Sequence, residues 1–116
     1  MMIKRGQLIW VDFGERRGSC QGGRRPAVVV QNNTGNKFST TLTVIPITSR
    51  DKNKMPVHTK LTKDYEFVAS GSVIMGEQLT VIDKQQVMSA GDMLTIEDMK
   101  SVNRVISIQL SLSLAA

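Results

Sequence analysis

The chain has 116 residues, of which 41% are hydrophobic and 22% charged, and its 15 Lys and Arg against 10 Asp and Glu give a net charge of +5. This length and composition predict one globular domain over residues 1–116 and exclude disordered and fibrous classes. The apolar stretches are too short to cross a membrane and the first residues lack a leader pattern, so we expect a cytoplasmic protein without membrane attachment.

The first third of the chain predicts two strands joined by a basic loop. Residues 7–13 are rich in β-branched and aromatic types, which indicates a strand ending at Gly14. Residues 14–24 interleave four glycines with three arginines, as is typical of a loop. Residues 25–31 then predict a buried strand with Pro26 near its start, where a missing N–H is tolerated.

The middle of the chain predicts further short strands. Residues 32–36 have the composition of a turn, and residues 40–47 predict a third strand whose end or edge is marked by Pro46. A polar loop at 48–56 leads to an alternating strand at 57–62. Two more strands are predicted, the first at 72–82 with a bulge or bend at Gly76 and the second at 85–90.

The hydrophobic period changes near the end of the chain. Thr95 and Asp98 form the Thr-x-x-Asp signature of a helix start, and apolar residues follow at spacings of three and four. We predict one amphipathic helix over about residues 95–113, although the alternation of the last residues also fits an earlier end. Short strands followed by one helix indicate a mainly β, α+β fold, a small barrel or curled sheet with a C-terminal helix packed on it.

Several kinds of site are excluded by residue counts. The lone Cys20 cannot form an internal disulfide, and together with His58, the one histidine, it cannot complete a zinc site in one chain. The carboxylates show no spacing of a metal cage or a glycosidase pair. We therefore predict no metal and no cofactor.

The charge is distributed unevenly along the chain. Residues 1–63 hold twelve Lys and Arg against three Asp and Glu, whereas residues 64–116 hold three against seven. A basic first half is suited to an acidic or phosphate-rich partner, although a solvated surface is the better explanation of a net charge of +5 taken alone.

Two positions are candidates for chemistry. The segment Gln21-Gly22-Gly23-Arg24-Arg25-Pro26 combines glycines, which let backbone N–H groups approach an anion, with guanidiniums that match phosphate oxygens. Such a segment also serves as a plain hairpin turn. Thr48 follows a predicted strand and precedes a basic loop, so its hydroxyl is either held at a site or caps a turn.

Aromatic residues are few and unclustered, which excludes RNA-recognition and cold-shock classes that stack bases on aromatic platforms. We place most of them in the core and expect Phe38, in a polar segment, to be the exception. The five are Trp10, Phe13, Phe38, Tyr65 and Phe67.

These motifs together resemble the PemK/MazF family of toxins from toxin–antitoxin pairs, and they follow in order along nearly the whole chain. The matching features are Lys4-Arg5-Gly6-Gln7, Gln21-Gly22-Gly23-x-Arg25-Pro26, the strand Val28–Asn32, Thr48, Met55-Pro56-x-His58, Glu77-Gln78 and Thr80-x-Ile82-Asp83-Lys84.

The resemblance implies a homodimeric, SH3-like barrel that cuts single-stranded RNA without metal. The 2′-hydroxyl would be the nucleophile and a 2′,3′-cyclic phosphate and a 5′-hydroxyl the products, with Arg25 and Thr48 at the family's catalytic positions. It also implies a cognate antitoxin whose acidic, partly disordered segment competes for the basic surface. Cys20 stands where many members carry an acidic residue, which leaves the group that removes the 2′-hydroxyl proton open.

Seven further residues are predicted to bind RNA. Side chains that can hydrogen-bond base edges are Ser19, Gln21, His58 and Gln78, and side chains suited to phosphates are Arg17, Lys52 and Lys54.

Two alternative functions remain open at the level of sequence. One is a gyrase-binding relative of the same barrel, which relies on a C-terminal Trp-Gly-Ile, whereas this chain ends in Leu-Ala-Ala and has its one tryptophan at Trp10. The other is a non-catalytic RNA-binding barrel, for which a basic surface suffices.

Overall fold

The computed structural model describes residues 2–49 and 55–112. In chain order the elements are β1 (Gln7–Asp12), β2 (Arg24–Val29), α1 (Asn33–Phe38), β3 (Thr41–Thr48), β4 (His58–Lys60), β5 (Val73–Met75), β6 (Thr80–Asp83), β7 (Val87–Met93) and α2 (Ile96–Gln109). Short 3₁₀ turns at Gly76–Gln78 and Lys84–Gln86 separate β5, β6 and β7.

The strands form one strongly curved antiparallel sheet that resembles a barrel but does not close. Its order is β4-β5-β3-β2-β1-β7, and β6 also pairs with β3. Strand β3 is central, because β2 pairs along one side while β6 and β5 share the other. The segment predicted as one strand with a bulge or bend at Gly76 is instead two strands, β5 and β6, separated by the 3₁₀ turn that begins at Gly76.

Apolar residues cover both faces of the sheet, because successive side chains of a strand point to opposite faces and these strands carry apolar residues at successive positions. One cluster includes Leu8, Val28 and Ile45 and packs against α2 through Val102. The other includes Ile9, Val11, Ala27, Val29 and Val44 on the opposite face. Two faces of β1, β2 and β3 are thus buried at once, which fixes the strand ends that carry the site.

Helix α2 begins where the sequence predicts. The Thr95 hydroxyl accepts a hydrogen bond from the Asp98 N–H at 3.1 Å, the N-cap arrangement that satisfies a first-turn donor. Asp98 is 2% exposed and its carboxylate accepts hydrogen bonds from the Thr62 hydroxyl and, at 2.7 Å, from the Tyr65 hydroxyl. The helix is thereby joined to the segment between β4 and β5.

The prediction of a turn at residues 32–36 is wrong, because this segment forms the N-cap and first residues of the short helix α1. The Asn32 side chain caps it by accepting from the Gly35 N–H at 2.8 Å. Asn36 is 3% exposed and its amide donates to the Gln31 carbonyl at 3.0 Å. Asparagine favours turns and helix caps for the same reason, its local hydrogen bonds to the backbone, so composition alone did not separate the two.

Pro46 neither ends β3 nor lies at an edge, contrary to the prediction. It lies opposite Ala27 of β2, inside β3. The Thr43 carbonyl faces β2, so alternation directs the main-chain groups of Val44 and Pro46 to the other side. There the pairing with β6 ends at Val44 and the pairing with β5 begins at Ile47. The missing N–H of Pro46 falls between two partner strands and interrupts neither ladder.

Candidate active site

A cavity of about 520 Å³ opens where β2 begins and β3 ends. Both residues predicted to be catalytic, Arg25 and Thr48, line it. The β2–β3 register explains why they meet, because Ala27 pairs with Pro46 and two more steps along each strand bring Arg25 opposite Thr48. The other lining residues are Trp10, Gln21, Arg24, Pro26, Ile47, Ser49, Phe67, Val68, Ala69 and Ser72.

The Arg25 guanidinium is held by the glycine loop, residues 14–23. Its Nε donates to the Gly22 carbonyl at 3.0 Å. A Cβ at Gly22 would lie 2.8 Å from the Gly14 carbonyl oxygen, and the Gly23 N–H donates to that same oxygen at 2.8 Å. The two arms of the loop pass so closely that only glycine fits at position 22. The glycines therefore set the position of Arg25.

Thr48 is the last residue of β3 and is 6% exposed. Its backbone pairs with Val73 of β5, so it lies inside the sheet rather than in the loop that follows. A hydroxyl fixed by a strand at the wall of a cavity is a preorganised hydrogen-bond donor, because little reorganisation is needed when a ligand arrives.

Gln78 fastens the glycine loop to the turn between β5 and β6. Its Oε1 accepts from the Gln21 N–H at 3.1 Å, and its Nε2 donates to the Ser19 carbonyl at 3.0 Å. A third contact nearby joins the Arg16 guanidinium to the Thr80 hydroxyl at 3.1 Å. Three residues predicted to bind RNA, namely Ser19, Gln21 and Gln78, thus lie together beside the cavity.

Comparison with known proteins assigns a family to this site. A family model described as the PemK-like, MazF-like toxin of type II toxin–antitoxin systems matches residues 4–110. The endoribonuclease MazF of Staphylococcus saprophyticus is 40% identical over 112 residues, which are 96% of this chain and 93% of the relative. The chain belongs to this toxin family.

Solved structures place the toxin in the same fold. MazF from Deinococcus radiodurans has a TM-score of 0.81 at 24% identity, with 97% of this chain and 99% of that chain covered. A mycobacterial endoribonuclease in complex with its cognate antitoxin has a TM-score of 0.81 at 17% identity, over 97% and 99% of the two chains. These matches confirm the predicted small barrel-like α+β fold with a C-terminal helix.

The His58 side chain is largely buried, whereas a side chain that hydrogen-bonds RNA bases needs an exposed polar atom. The side chain of His58 is 9% exposed, and its Nε2 lies 2.5 Å from Oε2 of Glu77. Because Gln78 follows Glu77, this pair supports the turn from which Gln78 reaches the glycine loop. Contact between His58 and RNA stays a prediction, and the geometry adds a supporting role that the sequence did not indicate.

Of the remaining residues predicted to bind RNA, the structure describes Arg17. Arg17 is exposed in the glycine loop, and its carbonyl accepts from the Cys20 N–H at 3.2 Å. Lys52 and Lys54 lie outside the described residues. Arg24 forms an exposed ion pair with Asp12, whose Oδ2 lies 3.6 Å from the Arg24 Nε.

No group of three or more His, Cys, Asp or Glu suited to a metal occurs within residues 2–49 and 55–112. In the same part of the toxin, no helix is long and apolar enough to span a membrane.

Two functional candidates were missed by the sequence, which placed most aromatic residues in the core. Phe13 and Tyr65 are buried and Phe38 is 75% exposed, as predicted. Trp10 and Phe67, however, are half-buried and line the cavity. The available signal was position along the strand, because Trp10 lies on one strand face between the buried Leu8 and the polar Asp12, toward the end of β1.

Proposed function

We propose that this toxin is a metal-independent endoribonuclease that cleaves single-stranded messenger RNA. In the reaction the 2′-oxygen attacks the adjacent phosphorus, the bond from phosphorus to the 5′-oxygen breaks, and the 2′-hydroxyl proton is lost as the 5′-oxygen gains one. The products are a 2′,3′-cyclic phosphate and a 5′-hydroxyl. The observation that carries the proposal is the meeting of Arg25 and Thr48 at one cavity in a chain of the MazF-like toxin family.

Arg25 stabilises the negative charge that builds on the equatorial oxygens of the phosphorane. A guanidinium suits this role, because it stays protonated at any working pH and presents a planar set of donors. Its anchoring to the Gly22 carbonyl orients these donors before the substrate binds. The same permanent charge makes it a poor base, so Arg25 acts by electrostatic stabilisation.

Thr48 complements Arg25 by donating a hydrogen bond. Its hydroxyl can reach a phosphoryl oxygen or the departing 5′-oxygen, and its place at the end of β3 fixes it relative to Arg25. Further groups can bind the flanking nucleotides. Gln21 in the cavity lining and Gln78, which is hydrogen-bonded to it, suit base edges, and Arg17 of the glycine loop suits a phosphate.

The toxin's partners follow from the same surface. We propose that it acts as a cytoplasmic homodimer and that a cognate antitoxin inhibits it by inserting an acidic, partly disordered segment beside Arg24 and Arg25. Such a segment would order on binding and occlude RNA. RNA affinity measured with saturating antitoxin tests the inhibition, since unchanged RNA binding would contradict competition for one surface.

The test of the reaction is an RNA cleavage assay in excess EDTA. The substrates are a mixed-sequence single-stranded RNA and its all-2′-deoxy analogue, and the variants are Arg25→Ala and Thr48→Ala. We expect cleavage of the RNA alone, cyclic phosphate ends by mass spectrometry, and a loss of about 10²–10³ in rate for each variant. Arg104→Ala, an exposed arginine on α2, is the matched control.

The outcomes separate an enzyme from a binding module. Cleavage that stops with EDTA would contradict a metal-independent reaction. Binding of RNA without cleavage by the folded wild-type protein, with only weakened binding in both variants, would support the non-catalytic alternative.

A further inference from the structure

An aromatic pair forms part of the cavity wall beside the proposed catalytic residues. The ring centroids of Trp10 and Phe67 lie 5.9 Å apart with an interplanar angle of 50°, and both side chains are half-buried. Strand pairing sets Trp10 opposite Pro26 and Ser89, so its backbone is fixed by β2 and β7 on either side. These are the two aromatic side chains of the described cavity lining.

Phe67 is held in place by an unusual local structure. Its φ is +77°, in the left-handed region that a bulky side chain rarely adopts, and the bridge between Tyr65 and Val68 maintains the turn around it. A Cβ at Gly91 would lie 2.7 Å from Phe67 Cε2, so the ring packs directly on bare backbone. Strain of this kind persists where the surrounding structure imposes it, and it is concentrated at functional sites.

We propose that the Trp10–Phe67 pair is a nucleobase subsite, on which a base next to the cleaved phosphate stacks. This subsite rests on the proposed function for the identity of its ligand. A base offers a flat π surface that binds such rings, and stacking is largely independent of base identity. The same cavity is lined by Arg24 and Arg25, which suit the adjoining phosphates.

The geometry also indicates how the nucleotide would lie. By strand alternation Trp10, Pro26 and Ile47 share one face of the sheet, whereas Arg25 and Thr48 fall on the other, and the cavity joins the two at the strand ends. A base on the aromatic wall would therefore lie on one side of the strand ends and the scissile phosphate on the other, which would turn this base out of a stack with its neighbour. Splaying of this kind favours in-line attack by the 2′-oxygen and requires an unpaired strand.

Trp10 is the one tryptophan of the chain, so its fluorescence reports on this subsite directly. The probe is a 2′-O-methyl oligonucleotide, which cannot be cleaved, with a sequence that the assay above shows to be cut. If no sequence is cut, a random-sequence pool replaces it. We expect quenching of Trp10 on binding and loss of that quenching when an abasic site replaces one particular nucleotide.

Variants provide an independent readout. We expect Phe67→Leu and Trp10→Leu each to weaken oligonucleotide binding by about 5- to 150-fold, the range for loss of one stacked base, while Trp10→Phe keeps most of the affinity. Phe38→Leu removes an exposed aromatic ring outside the cavity and is the matched control. Thermal unfolding of each variant shows whether it is folded, and the abasic scan on the wild-type protein needs no variant at all.

The outcomes distinguish the subsite from the catalytic proposal. Cleavage with unchanged Trp10 fluorescence and no sensitivity to any abasic site would overturn the subsite and leave the function standing. Position-dependent quenching without cleavage would support the subsite and overturn the function. Variants that retain RNA affinity but lose antitoxin binding would assign the aromatic wall to the protein partner and overturn the proposal.

Discussion

Asp98 and its neighbours explain how single residues join the helix to the sheet. The carboxylate is almost fully buried but accepts from Thr62 and Tyr65, and the Tyr65 hydroxyl also accepts from the Thr95 N–H at 3.1 Å. A hydrogen bond to a charged group contributes more to the stability of the fold than a hydrogen bond between neutral groups. Leaving a buried donor or acceptor unpaired lowers that stability substantially. This cluster holds α2 against the segment that carries Phe67.

Tyr65→Phe tests this cluster through its pH dependence. Burial raises the pKa of the Tyr65 hydroxyl above its ordinary value of 10.0, so the folded state favours the protonated form. Its stabilisation is fully present below pH 10 and is lost as the pH rises through the folded-state pKa. We expect Tyr65→Phe to lower the free energy of unfolding by about 2 kcal/mol at pH 8.

The measurement is urea unfolding of wild type and variant at pH 8 and at pH 11. We expect the difference between the two proteins to shrink at the higher pH, because only the wild type has this hydroxyl to ionise on unfolding. Thr62→Val is the matched control, since it removes a donor to Asp98 without removing a titratable group. A Tyr65→Phe difference that is equal at both pH values would contradict the assignment.

At the scale of elements, the site depends on the glycine loop, which is held in place by the turn between β5 and β6. The glycine loop binds Arg25 through the Gly22 carbonyl, and Gln78 holds the loop through two main-chain hydrogen bonds. His58 in turn supports the turn that bears Gln78 through its contact with Glu77. Contacts therefore run from β4 through the turn to the guanidinium, so residues outside the cavity can affect activity.

Gln78→Leu tests whether the loop is positioned in this way. We expect faster amide hydrogen exchange in residues 16–23 of the RNA-free protein, because the loop loses two hydrogen bonds. We also expect the rate of cleavage to fall about tenfold, which corresponds to an activation free energy higher by roughly 1.4 kcal/mol. Gln85→Leu, an exposed glutamine in the next 3₁₀ turn, is the control. Unchanged exchange with weakened RNA binding would instead support direct contact between Gln78 and a base.

At the scale of the whole molecule, the basic first half of the chain supplies the arginines of the cavity lining. Arg17, Arg24 and Arg25 all come from the glycine loop and the start of β2. If each protomer contacts about three phosphates, the logarithm of the RNA affinity should fall with the logarithm of salt concentration at a slope near −2.

Binding of the uncleavable oligonucleotide at several NaCl concentrations measures this slope. We expect Arg17→Ala to make it shallower by about 0.7, the contribution of one single-strand phosphate contact. A slope near zero in the wild-type protein would contradict phosphate binding as the main source of affinity.

The sequence by itself determined the resemblance to the toxin family, the order of the strands along the chain and the start of the final helix, and it singled out Arg25 and Thr48 as candidates. These follow from local signals, namely two-residue alternation, a capping threonine and the motif Gln21-Gly22-Gly23-x-Arg25-Pro26. Such signals depend on a few neighbouring residues, so they can be recognised without knowledge of the fold.

Only the tertiary structure decided how these parts meet. The helix at Asn33–Phe38, the interior place of Pro46 and the exposure of Trp10 and Phe67 each depend on which strands lie alongside. The same asparagine suits a cap or a turn, and the same aromatic ring suits a core or a cavity wall. Strand pairing between distant residues settles these choices, because burial and hydrogen-bond partners are set by neighbours in space rather than in sequence.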